Sequence, residues 1–126
     1  MNLKKLAVLP LLLFATFCCA DEYAGLAEYD GGKEVGLIYT FDASDKANLK
    51  GSVQFIKTKS VPCLHLRSID GSYIEGDKIY LTSTVSPELQ SIGCGPFNLI
   101  GKIDDNKIVG SFHLHGEKYP VTLTRQ

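Results

Sequence analysis

No tryptophan occurs in the 126 residues, and after Ala20 no long stretch carries the 3.6-residue apolar period of an amphipathic helix. The first absence counts against biotin- and sugar-binding barrels walled by indole rings, and the second counts against a helical domain. Enzyme signatures are also missing: there is no G-x-S-x-G, no H-E-x-x-H and no phosphate-cradling glycine loop. The acidic residues fall mostly in turn contexts, as at Asp42, Asp45, Asp104 and Asp105, where a carboxylate caps a turn. No acid pair stands out as catalytic, so the chain is not expected to be an enzyme and no cofactor is implied. A basic stripe is lacking too, which argues against nucleic acid as a partner.

What is present begins with a leader. Lys4 and Lys5 precede an uncharged run from Leu6 to Ala20, and the acidic pair Asp21 and Glu22 follows, which is the order of a signal peptide. A helix of about 15 residues rises only ~22 Å, against a hydrocarbon core of ~30 Å. Pro10 lies inside the run. Residues 1–20 are therefore expected to be a signal peptide cleaved after Ala20, with small side chains, Cys18 and Ala20, at the two positions that a signal peptidase inspects. Residues 21–126 are expected to form a single β-rich domain, secreted or periplasmic, with no transmembrane segment once the signal is gone. A lipid anchor at Cys18 or Cys19 is the competing expectation, weakened by Phe17 and Thr16 where small residues are wanted. Loss of the two lysines leaves 11 basic and 14 acidic side chains, a net charge of −3.

Cys63 and Cys94 remain after cleavage. In an oxidising compartment an even pair without C-x-x-C spacing reads as one structural disulfide. Closing a loop of about 30 residues would stabilise the fold by roughly 3 to 4 kcal/mol. A catalytic thiol at Cys63 with His65 as base is the weaker reading, because the same compartment would oxidise it.

Short runs rich in Val, Ile, Tyr, Phe and Thr alternate with Gly, Asp and Asn clusters every eight to twelve residues. Nine strand candidates follow: 23–29, 35–41, 49–57, 61–69, 71–75, 78–84, 96–103, 107–115 and 118–125. The fold class is all-β, with a small antiparallel meander barrel of about eight strands as the first expectation and a β-sandwich as the alternative. Three turns predict register. Gly76-Asp77 pairs Glu75 with Lys78 and sets Tyr73 opposite Tyr80. Asp105-Asn106 pairs Ile103 with Ile108, Gly101 with Gly110, Leu99 with Phe112 and Phe97 with Leu114. Gly116-Glu117 pairs His115 with Lys118, Leu114 with Tyr119, Phe112 with Val121 and Gly110 with Leu123. Glycine recurs inside strand patterns at Gly51, Gly71, Gly101 and Gly110, as expected where a sheet coils to close.

Several features are candidates for function. The segment 85–96 is the longest break between strands; Ser86, Pro87 and Glu88 are suited to start a helical turn, and Cys94 would staple the segment. Leu89 and Ile92 then become contact residues of a pre-organised docking loop, or alternatively plug one end of the barrel. Tyr73 and Tyr80 form a contact patch if their face is the outer one. His113 and His115, two apart on one strand, form an H-x-H pair able to hold zinc or copper, with His65 as a conceivable third ligand. The stretch Ser68-Ile69-Asp70-Gly71-Ser72-Tyr73 is similar to the Ser-x-x-Gly-x-x-Tyr motif of small periplasmic lysozyme inhibitors, which are also β-barrels. Its tyrosine comes one residue early, which turns that side chain to the opposite face of a strand, so the stretch assigns no family.

These residues favour an extracytoplasmic, non-enzymatic binding protein whose partner is another extracytoplasmic protein, an inhibitor or immunity-type factor docking through the disulfide-anchored loop. A carrier of a small apolar ligand inside the barrel is the alternative, and a metal-dependent enzyme using His113 and His115 comes third.

Overall fold

A computed structural model describes residues 20–29, 32–56, 63, 66–114 and 116–126. Eight strands follow in chain order: β1 (Ala20–Tyr29), β2 (Lys33–Asp42), β3 (Leu49–Ile56), β4 (Arg67–Glu75), β5 (Lys78–Thr82), β6 (Asn98–Ile103), β7 (Lys107–Leu114) and β8 (Glu117–Arg125). One short helix, α1 (Pro87–Ser91), lies between β5 and β6. Each strand pairs antiparallel with the next, and β1 pairs with β8, so the sheet closes into a meander barrel rather than splitting into a sandwich. Residues 1–19, all but the last residue of the expected leader, lie outside the described residues; Ala20 opens β1 opposite Asp42. Cys18 and Cys19 lie outside them as well. Among the described residues no helix is long and apolar enough to cross a membrane.

Alternation drives the fold. Val35, Leu37, Tyr39 and Phe41 take every second place on β2 and are all buried, as are Ile79 and Leu81 on β5. A period of two puts these side chains on one surface, and closure makes that surface the interior. Phe55, Phe97 and Phe112 meet there, with ring centroids 5.1 Å apart for the first two and 5.8 Å for the last two. Tyr23 stacks on Phe41 at 5.5 Å. Gly101 and Gly110 face each other across β6 and β7, as their turn predicts. A Cβ on Gly110 would overlap the Ile100 carbonyl oxygen and lie 2.6 Å from Gly101 Cα, so this is a close approach of backbones that only glycine permits.

Two expectations are corrected. The nine candidates become eight strands because 61–69 and 71–75 contribute to one, β4, whose Asp70-Gly71 is a bulge and not a turn. Gly71 adopts φ 74, and the β3–β4 register shifts between Leu49 and Gly51. The buried Ser72 hydroxyl fills the gap, accepting from Thr82 N at 2.9 Å and donating to Thr82 O at 3.3 Å. The last hairpin turns one residue earlier than expected, which moves every partner by two: Leu114 pairs with Glu117, Phe112 with Tyr119 and Gly110 with Val121. Gly116, with φ 80, is therefore the second turn residue and not the first. The offset is even, so every side chain keeps its face and the apolar surface is unchanged. The other two hairpins have the predicted register.

The meander sorts the loops between two ends. At the mouth end lie the β2–β3, β4–β5 and β6–β7 connections, together with the start of β1 and the finish of β8. At the other end, Cys63 and Cys94 form the disulfide, with Cα atoms 5.4 Å apart. Here Ser86 caps α1, its hydroxyl accepting from Leu89 N at 3.2 Å, with Pro87 in the first turn as expected.

Candidate functional site

The β4–β5 hairpin turns Ile74 and Ile79 inward and both tyrosines outward. Tyr73 and Tyr80 are cross-strand neighbours with centroids 5.4 Å apart, and Tyr73 is 42% exposed. The register carries this pair further around the wall, because Tyr80 lies opposite Ile100 and Ile100 opposite Ser111. In the adjoining row Lys78 lies opposite Lys102, and Lys102 opposite Val109. Ile100 and Val109 are each 47% exposed. The outer wall thus carries an aromatic and aliphatic stripe beside two facing ammonium groups, and Lys107 is exposed on β7 as well. β5, β6 and β7 contain no acidic residue at all. Ile100 and Val109 are absent from the sequence reading, although the predicted β6–β7 register already put them outward.

The disulfide end is organised by a residue that the sequence reading missed. Arg67 is only 4% exposed, yet it donates to Gly95 O at 2.7 Å and to Cys63 O at 2.7 Å, with a long third contact to Thr84 O at 3.4 Å. Its guanidinium lies 4.1 Å from the centroid of Phe97. Carbonyls beside both halves of the cystine are thus held by one planar donor, and an aromatic face supports its charge. Burial lowers the Arg67 pKa from its ordinary value, and Nε has no hydrogen-bond partner among the described residues. A signal was available: with Ile69 inward, the alternation of β4 sends Arg67 inward too. Leu89 and Ile92 do not plug the barrel. Leu89 is half-buried and Ile92 is 59% exposed, while Phe97 fills the end. These two residues and the tyrosine pair occupy separate surfaces.

His113 faces outward between Asn98 and Lys118. His65 and His115 lie outside the described residues. Among the described residues no group of three His, Cys, Asp or Glu side chains converges as a metal site would.

The mouth end holds a cleft of about 290 Å³ floored by Tyr23, Ile74 and Ile103. Arg125 lines it and is already engaged, donating to Asp21 Oδ1 at 2.7 Å and to Asp105 O at 3.2 Å. Burial raises the Tyr23 phenol pKa despite the Arg125 cation. Asp104 Oδ1 accepts from the backbone N–H groups of Asn106 and Lys107 at 2.8 and 3.0 Å, and these bonds hold its carboxyl below the usual range. A second cleft, of about 490 Å³, shares Lys46 and Ile74 with the first and reaches Tyr73. Compared with protein-family models, with curated proteins and with solved structures, the chain matches none of them, so the geometry of these surfaces alone bears on function.

Proposed function

We propose that this chain is a non-enzymatic extracytoplasmic binding protein that docks an acidic partner protein through the outer wall of β4 to β7. The observation that carries this reading is the register-fixed stripe of Tyr73, Tyr80 and Ile100 beside Lys78, Lys102 and Val109. Tyrosine supplies large contact area at low side-chain entropy, and exposed aliphatic neighbours add surface that leaves water on docking. Lys78 lies between Glu75 and Lys102, so one carboxylate offsets part of the charge, and the remaining positive excess of Lys78, Lys102 and Lys107 favours encounter with an acidic partner. The interior is occupied by Tyr39, Phe41, Phe97 and Phe112, which supports docking over carriage of a ligand inside the barrel.

The disulfide-anchored loop supports a second surface. Leu66 and Ile92, 67% and 59% exposed, follow Cys63 and precede Cys94 on the two segments that the cystine joins. The test is affinity capture from the extracytoplasmic fraction, comparing the wild type with three double variants: Tyr73→Ser with Tyr80→Ser, Lys78→Glu with Lys102→Glu, and Leu89→Ser with Ile92→Ser. The wall reading expects an acidic partner whose recovery falls at least tenfold with either wall variant and declines with salt. Loss with the loop variant alone moves the interface to the loop, and equal recovery by every variant rejects both surfaces.

A further inference from the structure

The mouth cleft has the composition of a binding site for a small molecule that carries both charges. Tyr23 is 2% exposed and its ring is fixed by the stack on Phe41, while its hydroxyl, which does not belong to the fully buried unpaired polar atoms among the described residues, opens on the cleft that Tyr23 lines. Because Tyr23 lines the cleft, that hydroxyl is a polar group kept for whatever enters. Arg125 and Asp21 neutralise each other at one side. Lys46 and the Asp104–Asp105 pair remain. They belong to the β2–β3 and β6–β7 connections, which stand across the mouth from each other in a closed ring of eight strands. Neither rim is loose: Ile74 N donates to Lys46 O at 2.8 Å, and the Asp104 carboxylate is tied into its own turn.

We infer that the cleft binds a peptide-like zwitterion of one or two residues, its ammonium on Asp104 and Asp105, its carboxylate on Lys46, and the Tyr23 hydroxyl between them. The volume of about 290 Å³ sits at the lower end of small-ligand pockets, which suits a dipeptide. Ile74 and Ile103 offer apolar floor for a small side chain. The site is separate from the docking wall, so each reading stands or falls alone.

The test is titration of the chain with L-alanyl-L-alanine, followed by two-dimensional amide NMR, with the N-acetyl and C-terminal amide derivatives as controls. Saturable shifts confined to the mouth are expected, with each blocked derivative at least fivefold weaker. Tyr23→Phe keeps the ring and removes only the hydroxyl, and it should weaken binding by about three- to tenfold. Lys46→Met, on an exposed loop, should weaken the dipeptide and its N-acetyl form while leaving the amide unchanged. Absence of saturable binding overturns the proposal. So does equal affinity for all three ligands, or a loss with only one of the two blocked forms. Unchanged affinity in both variants overturns it too.

Discussion

Arg67→Met should be among the most damaging single substitutions in this domain. The change removes a buried cation and leaves Gly95 O and Cys63 O, each now bonded at 2.7 Å, without donors. An unpaired buried carbonyl costs about 1 to 3 kcal/mol, and a cation over an aromatic face contributes about 0.5 to 2 kcal/mol. Against this, the variant no longer has to strip water from a guanidinium whose Nε is unpartnered, which returns part of the loss. A net destabilisation of about 2 to 4 kcal/mol follows, a large share of the roughly 5 to 15 kcal/mol that holds a domain together. Urea unfolding with the disulfide intact reads it directly. With a slope near ~2 kcal/mol/M the midpoint should fall by about 1 to 2 M. Arg67→Lys should recover little, because one ammonium cannot serve both carbonyls in the plane that a guanidinium fits. Removing the cystine as Cys63→Ala with Cys94→Ala should cost about 3 to 4 kcal/mol for a separation of 31 residues. The combined variant should lose less than the sum, since both devices hold the same segment. A midpoint within ~0.3 M of wild type for Arg67→Met, or strict additivity in the cycle, would refute the reasoning.

Tyr39→Phe should stabilise the protein, because the Tyr39 hydroxyl is fully buried without a partner among the described residues. Burial raises its pKa, so above the ordinary tyrosine value near ~10 the unfolded chain loses its proton first and wild-type stability falls as pH rises. Thermal unfolding at neutral pH and near pH 10.5 should show a gain of about 1 kcal/mol and a shallower alkaline decline. Gly110→Ala should cost about 2 kcal/mol or more in urea unfolding, since its Cβ would meet the backbone of Ile100 and Gly101. Asp104 and Asp42 have carboxyls held low by backbone N–H bonds, so their contribution is complete above about pH 4 and lost as pH falls through the folded values. Asp104→Asn should flatten the acid limb of a melting-temperature profile; an unchanged limb would show that the turn bonds do not discriminate charge.

Register was legible wherever a two-residue turn with glycine or an aspartate-asparagine pair sat between alternating runs, as at Gly76-Asp77 and Asp105-Asn106. It slipped at Gly116 because glycine fits either turn position, and only the twist of the finished sheet decides between them. The bulge at Gly71 imitates a turn in one dimension, since the same left-handed residue serves both. The outward tyrosines were legible as a pair. The stripe they begin was not assembled from sequence, because its other members come from β6 and β7 and meet the tyrosines only through the β5–β6 register. Arg67 was hidden by its type: a charge in an alternating pattern reads as solvent-facing until the carbonyls it serves, more than twenty residues away at Gly95, come into place. The clefts at the mouth draw on five separate segments, which no local pattern foretells.

The seam between β1 and β8 is what spares the sheet an open edge. Tyr23 faces Arg125 and Ala27 faces Val121, so the last join unites the parts of the domain most distant along the chain. Without that seam the sheet would keep two bare rims, each able to recruit a stranger. Closure through so distant a pairing raises the contact order of the fold, which slows folding, and the Arg125–Asp21 ion pair lies on the seam itself.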